Sequence, residues 1–203
     1  ADFTYQTTDA SNVPVGTPDT PVDIAAGESQ NFVFGFLPTS PISPTEVELT
    51  YVCTNSAPAP VTVGLNTLLL SASATPIPDI VALAATPSGD GILKLPGPNG
   101  SNAFAVSAVN VGSTDTITAT PGPSVVLPLV MSICQTDATG ACLSPAGSSA
   151  TGLVEAGATP TYSVFVTATA TVPFDPANNR IVVEFTDSGG VVRGSTSVAV
   201  TTQ

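Results

Sequence analysis

Three stretches near the C-terminus decide the fold: Thr161-Tyr162-Ser163-Val164-Phe165-Val166, Arg180-Ile181-Val182-Val183-Glu184-Phe185 and Ser195-Thr196-Ser197-Val198-Ala199-Val200. Tyr162, Val164 and Val166 alternate with Ser163 and Thr167, and Ile181, Val183 and Phe185 alternate with Arg180, Val182, Glu184 and Thr186. Thr196, Val198 and Val200 do the same against Ser195, Ser197 and Thr201. Successive side chains leave a strand on opposite faces, so a period of two predicts three half-buried strands. Pro, Asn, Asp and Gly fill the gaps, as turns between strands require.

The same order of beats occurs earlier in the chain. Ala26-Gly27-Glu28 leads into Phe32-Val33-Phe34-Gly35-Phe36 as Ala156-Gly157-Ala158 leads into Tyr162 to Val166. Ile42-Ser43-Pro44, Glu46-Val47-Glu48-Leu49-Thr50-Tyr51 and Val63-Gly64-Leu65-Asn66-Thr67-Leu68-Leu69-Leu70 follow in the order of the later copy. We read an internal repeat. Neither copy carries a helical stripe of useful length.

Between the copies, Thr75-Pro76-Ile77-Pro78 forms an extended connector, because each proline restricts itself and its predecessor. A second unit then opens with Ile80 to Ala84 and Gly91 to Leu95, on either side of a Ser88-Gly89-Asp90-Gly91 hairpin turn. Ala103 to Gly112, Thr116 to Thr120 and Ser124 to Cys134 supply further strands, with Pro121-Gly122-Pro123 between the last two. Seven or eight short strands in roughly 125 residues have the rhythm of an immunoglobulin-like sandwich. Its expected core is Phe104, Val106, Leu127, Leu129, Phe165, Ile181, Val183 and Phe185.

The first unit is shorter. Only residues 1–25 precede its repeated segment, with short strands expected at Phe3 to Thr7 and Val22 to Ile24, whereas residues 76–155 precede the later copy. Tyr51-Val52-Cys53 has the spacing of strand F in an immunoglobulin domain, whose cysteine pairs with one on strand B. That partner would lie before Ala1, so Cys53 is read as unpaired or paired outside this chain. The fold expected is therefore all-β: two tandem immunoglobulin-like β-sandwiches, the first (1–75) incomplete and the second (76–203) complete. Missing strands would come from a longer protein or from another copy by β-strand addition. A smaller first domain of different topology, with Cys53 an ordinary buried thiol, is the alternative.

Composition narrows the partners. The 203 residues include 20 Pro and 17 Gly, no Trp and no His, with only 9% charged, and the mean hydropathy is +0.38. Surface must then be built largely from Thr, Ser, Ala and Val, and part of it is expected to be covered by neighbours. The net charge of −12, with Lys94, Arg180 and Arg193 the only cations, argues against nucleic acid and anionic membranes, which require basic patches. The longest apolar runs, such as Val125 to Met131, fall well short of the roughly 18 residues of a membrane span, so no membrane insertion is expected. Few Lys and Arg also leave few sites for trypsin-like proteases, which suits a protein outside the cell. A chain starting at Ala1 without Met reads as a processed chain or a fragment. Cys134 and Cys142 flank the turn-forming Gln135 to Ala141, so a local disulfide and an oxidising compartment are expected.

Ala103 to Val106 with Val109-Asn110-Val111-Gly112, the Cys134 to Cys142 phrase, Phe174-Asp175-Pro176-Ala177-Asn178-Asn179-Arg180 and Arg193 to Val200 resemble a repeated immunoglobulin-like module of large secreted proteins of Gram-negative bacteria. The likeness covers most of the second unit and the latter part of the first. It implies the sandwich and secretion, and carries over no activity and no functional residue.

The chemistry available is sparse. Without His, Ser107, Ser132 or Ser197 would depend on Lys94 for activation. Three cysteines without finger spacing make no zinc site. Glu46 and Glu48 lie on one strand face about 7 Å apart, a carboxylate pair that is commonly just a solvated face. Asp175 to Asn179 could offer oxygens to calcium, but the same residues make a turn. Ser88 to Gly91 is a turn rather than an anion nest, and Lys94 is solvated rather than set for an isopeptide crosslink. Asn99-Gly100-Ser101 fits the glycosylation pattern, idle in a bacterial chain. We expect no catalytic residues, no metal and no cofactor. The reading is a non-enzymatic extracellular structural module that builds a surface filament, sheath or adhesin stalk. Its partners would be copies of itself or neighbouring repeats of a longer chain. The alternative is a secreted ligand-binding or carbohydrate-binding accessory domain, for which Tyr5, Tyr51 and Tyr162 would have to be exposed.

Overall fold

In the computed structural model, residues 2–62 and 66–203 are described. Val63, Gly64 and Leu65 of the earlier repeat copy lie outside the described residues, as does Ala1. Among the described residues there are thirteen strands and no helix. They are β1 (Asp2–Thr8), β2 (Asn31–Leu37), β3 (Ile42–Glu48), β4 (Thr67–Ala72), β5 (Ile80–Ala85), β6 (Ile92–Leu95), β7 (Ser101–Asn110), β8 (Asp115–Pro123), β9 (Leu129–Thr136), β10 (Ala150–Val154), β11 (Thr161–Ala168), β12 (Arg180–Thr186) and β13 (Val192–Thr202). Contacts divide the chain into residues 1–43 with 71–74, and 44–70 with 75–203.

The C-terminal strands build a two-sheet sandwich. One sheet has the order β5-β7-β11-β9 and the other β10-β8-β12-β13-β6. All pairings are antiparallel except β6 with β13, which run parallel from Ile92 opposite Ala199 to Leu95 opposite Thr202. The chain goes from β8 across to β9 in the opposite sheet and back to β10 beside β8. Tyr162, Val164, Val166 and Ala168 on β11 face Ile181, Val183 and Phe185 on β12, with Phe104, Val106, Ile117, Leu93, Leu95, Val198 and Val200 closing the core. Each such side chain, once fully buried, contributes about 1.5–3 kcal/mol, which makes this core the main source of stability. Tyr162 packs edge-on against Phe185 with ring centroids 5.6 Å apart.

Four expectations are corrected here. Phe165 points outward, because the alternation that buries Val164 and Val166 sends it to the other face. Leu127 and Leu129 reach the core only partly. Pro121-Gly122-Pro123 belong to β8, opposite Val183, Val182 and Ile181. Beyond Ala119 no β10 residue pairs with β8, so that side of the strand is an edge on which prolines lose no ladder bond. Ser88 to Gly91 is not a hairpin turn: it carries the chain from β5 in one sheet to β6 in the other. Asp90 holds that crossing, accepting from Ser88 Oγ at 2.6 Å, Ile92 N at 3.0 Å and Lys94 Nζ at 2.7 Å.

The N-terminal strands form ribbons instead of a sandwich. β1 and β2 make one two-stranded sheet and β3 and β4 another. The repeated pattern keeps part of the later pairing, since β3 pairs with β4 as β12 pairs with β13 and β2 lies in a different sheet as β11 does, but the flanking strands that widen the later sheets do not recur among the described residues. Phe3 and Tyr5 sit opposite Phe36 and Phe34 on one face of the β1–β2 ribbon. Phe3 lies 5.3 Å from Phe36 and 6.0 Å from Phe34, and Tyr5 lies 6.3 Å from Phe32. Even so, Thr8 is the only buried residue among those described before Pro78. Val22 to Ile24 is not a strand. Tyr51, Val52 and Cys53 also lie outside any strand, and Cys53 is exposed. The strand-F reading of that tripeptide fails because Asn55, Pro58 and Pro60 follow it, and prolines cannot donate to a ladder.

Cys134 and Cys142 are bonded to each other, with Cα atoms 5.6 Å apart. The intervening turn is built on Asp137, whose carboxylate accepts from Thr139 N, Thr139 Oγ1 and Ala141 N at 2.7–3.0 Å. After the turn the chain runs back along β9, bridging Thr136 to Cys142 and Ile133 to Gly147. Replacing both cysteines by serine is expected to lower unfolding free energy by about 2.5 kcal/mol, as loop-closure entropy is returned to the unfolded chain. Urea unfolding of the two forms tests this, and coincident curves would contradict it.

Candidate functional site

The chemistry-bearing side chains do not converge. Glu46 and Glu48 are both exposed on β3. Glu46 borders an open depression of ≈ 380 Å³ with Pro44, Leu69, Glu184, Val191 and Ser195, and Glu48 does not. Asp175 spends its carboxylate on its own turn, accepting from Asn178 Nδ2 at 2.9 Å, while its carbonyl accepts from Asn179 N at 2.7 Å. Among the described residues no three Asp, Glu or Cys gather to hold a metal ion. Of the candidate serines, Ser107 is exposed and Ser197 is occupied with Arg180. Tyr162 is buried and Tyr5 half-buried; only Tyr51 is exposed. Asn99 is exposed in a turn with a φ of 66°.

All three cations are engaged within the chain. Lys94 Nζ meets Asp90 at 2.7 Å, and Arg193 Nε meets Asp187 at 2.6 Å. Arg180 is buried and donates to Ser197 Oγ at 2.8 and 3.0 Å and to the Pro176 carbonyl at 2.8 Å. Burial lowers its pKa from the usual arginine value. The remaining charges are carboxylates, so ion pairing through side-chain cations is closed to partners of this chain.

One sheet of the sandwich, by contrast, presents a neutral surface. The strands β5, β7, β9 and β11 contain no charged residue, and their outer face presents Leu83 (74% exposed), Val130 (60%), Val81 (57%) and Phe165 (41%) among Ser and Thr. The sheet pairings put these four side chains on one face. Its two margins differ. Along β9 the Cys142 to Gly147 segment covers the edge, whereas among the described residues β5 pairs only with β7. In the other sheet β6 carries Lys94 and is four residues long, and β10 is five. Short or charged edge strands resist adding another strand, and β5 has neither protection.

Several carboxylates are held below their ordinary values and tie stability to pH. The Lys94 ammonium and Ser88 hydroxyl keep Asp90 low, and the Thr139 hydroxyl followed by backbone N–H groups does so for Asp137. At Asp187 burial pushes upward, but N–H donors from Val191 and Gly189 and the Arg193 guanidinium outweigh it. Depressed folded values mean stabilisation that is present above the unfolded carboxyl pKa of about 3.9 and is lost as pH falls through the folded values. Burial pushes Tyr162 up to about 12. Its contribution is therefore intact below the unfolded tyrosine value of about 10 and is lost as pH rises from there towards 12. The thermal midpoint should be level between about pH 5 and 9 and fall on both sides. A midpoint indifferent to acid would contradict the carboxylate assignments, and tyrosinate absorbance appearing at the ordinary pH for Tyr162 would contradict its burial.

No protein-family model matches the chain, and no curated protein matches it. Solved structures do. A PapD-like domain of human CEP192 matches 62% of this chain and 85% of its own, at 10% identity and a TM-score of 0.32. The major pilin subunit BcpA of Bacillus cereus matches at 11% identity in two structures. One covers 100% of this chain and 65% of the pilin with a TM-score of 0.35, the other 99% and 64% with 0.31. The chain thus spans just under two-thirds of that pilin. At such identities no residue and no activity transfers. The all-β sandwich itself is established by the two sheets and the core they enclose.

Several structural residues escaped the sequence reading. In the sequence Asn110 reads only as the end of a strand, yet its side chain makes four hydrogen bonds. Oδ1 accepts from Asp79 N at 3.2 Å and Gly112 N at 3.0 Å, and Nδ2 donates to the carbonyls of Ser113 at 2.8 Å and Val154 at 3.1 Å. A polar residue at the inward beat of an apolar strand was the available signal. The Asp187–Arg193 pair across the β12–β13 turn could have been found from Asp-Ser-Gly-Gly followed by an arginine.

Proposed function

We propose that the chain is a non-enzymatic structural module of an extracellular or cell-surface protein, a subunit of a filament, sheath or stalk that associates with copies of itself or with neighbouring repeats. The observation that carries this is the contrast between its parts: a closed C-terminal sandwich, and N-terminal ribbons in which Thr8 alone, among the described residues before Pro78, is buried. An isolated two-stranded ribbon is marginal in water, so the phenylalanines of β2 favour a partner surface. The Cys134–Cys142 disulfide supports an oxidising location. Secreted Gram-negative repeat modules remain the family we favour, on the sequence phrases quoted above. Negative-stain electron microscopy of purified protein is expected to show filaments or tandem beads. A monodisperse compact monomer by light scattering, at micromolar to millimolar concentration, would overturn the reading.

A further inference from the structure

Among the described residues, two stretches of strand edge, Ala82 to Ala84 on β5 and Phe34 to Phe36 on β2, have no ladder partner on their outer side, and they do so in complementary phases. The phase of each follows from hydrogen bonds already in place. Val111 N donates to Asp79 O, so the odd residues of β5 turn their backbone groups to β7 and the even ones turn theirs away. The Ile80 carbonyl lies against Gly194, which leaves Ala82 and Ala84 presenting N–H and C=O outward. On β1, Thr7 O accepts from Val15 N and Tyr5 O from Asp19 N, each at 2.8 Å, so the odd residues of β1 face the 13–19 segment. The even residues of β1 then serve β2, through Thr4 opposite Gly35 and Gln6 opposite Val33. By the same alternation the even residues of β2, Phe34 and Phe36 among them, turn their backbone groups away from β1.

Resting on the filament reading, we propose that β2 of one copy adds antiparallel to the β5 edge of the next, with Phe34 opposite Ala84, Gly35 opposite Leu83 and Phe36 opposite Ala82. The register satisfies both hydrogen-bond phases at once, pairing Phe34 with Ala84 and Phe36 with Ala82. It also matches size on both faces. Bulky Phe34 and Phe36 stand over Ala82 and Ala84, which pack only partly against the core, while exposed Leu83 meets the one glycine of β2. A one-residue slip would set Phe against Leu83 and lose both matches. The occupant is a second copy, because the edge that answers β5 in hydrogen-bond phase and in side-chain size is the chain's own β2. Neither strand carries a charge, every cation is engaged inside the chain, and copies at −12 each repel one another elsewhere. One edge lies on each part of the chain and the two differ, so the contact is heterologous and does not close on itself as a two-fold dimer would.

The test uses cysteine pairs in a Cys53→Ser background. Leu37 and Val81, both exposed, become neighbours in this register. Under mild oxidation the double variant Leu37→Cys, Val81→Cys is expected to give a ladder of covalent oligomers on non-reducing gels. An equimolar mixture of the two single variants should stop at dimers, and each single variant alone should stay monomeric. Separately, Leu83→Lys is expected to cut the mass of sedimentable polymer at least tenfold while leaving the monomer's thermal midpoint in place. A ladder equally strong from Leu37→Cys alone, a crosslink within one chain, or filaments that survive Leu83→Lys and vanish with Leu68→Lys on β4 would each overturn the register. If the Cys53→Ser protein makes filaments but no crosslink forms, this pairing fails and the filament reading stands. If the unsubstituted protein is a monomer, both fail.

Discussion

Asn110→Ala is expected to lower the thermal midpoint of the sandwich by on the order of 10 °C. The substitution leaves two backbone carbonyls, of Ser113 and Val154, and two N–H groups, of Asp79 and Gly112, without the side chain that meets them. Asn110 is fully buried, so water does not replace what is lost at the innermost of these groups. At roughly 1 kcal/mol each, four such losses come to about 4 kcal/mol. Asn178→Ala is the comparison. That amide meets Asp175 at the surface, and its removal should move the midpoint by no more than about 2 °C. Equal shifts for the two variants would mean that Asn110 does not tie the start of β5 to the ends of β7 and β10.

Gly194→Val should be at least as damaging, for a reason of space instead of hydrogen bonding. A Cβ at Gly194 would overlap the backbone carbonyl of Ile80, where β5 passes over β13. Neither strand can retreat cheaply, because β13 is paired to β12 and β6 and β5 to β7. We expect a loss of about 3 kcal/mol or more, the upper part of the range for overpacked interiors. The loss should appear first as proteolysis near residues 75–85, before the rest of the sandwich is cut. Gly122→Ala, with open space around its Cβ position, should be silent. A Gly194→Val protein with an unchanged urea midpoint would show that β5 is free to move off β13.

How much of this was legible beforehand depended on whether a strand had one buried face. β11, β12 and β13 were readable residue by residue, because each packs one side on the core and leaves the other wet, and alternation is the direct imprint of that arrangement. Phe165 shows the limit of reading by residue type, since its position in the alternation, and not its size, sets its face. The sequence ends β8 before Pro121, because prolines punctuate strands; that β10 begins opposite Ala119, leaving an edge beyond it, is tertiary information. In the N-terminal part, the order of apolar beats and the pairing of the last two strands resemble the later copy, while the flanking strands that make the later copy a sandwich have no counterpart among the described residues. Sequence pattern specifies which residues seek cover, but the partner strand is chosen by what else is within reach. The Tyr51-x-Cys53 spacing illustrates the same point: the tripeptide matches strand F in spacing, but no sheet encloses it. The polar ties at Asn110 and Asp187 were hidden because their partners are backbone atoms, which carry no residue identity.

The parallel pairing of β6 with β13 has a mechanical consequence. A load drawn between the start of the sandwich and Gln203 pulls β6 by its N-terminal end and β13 by its C-terminal end. Because the two strands point the same way, their ladder from Ile92 opposite Ala199 to Leu95 opposite Thr202 is strained lengthwise, all rungs together, instead of opening one rung at a time. A stalk strung from such units would resist tension with a clamp four residues long.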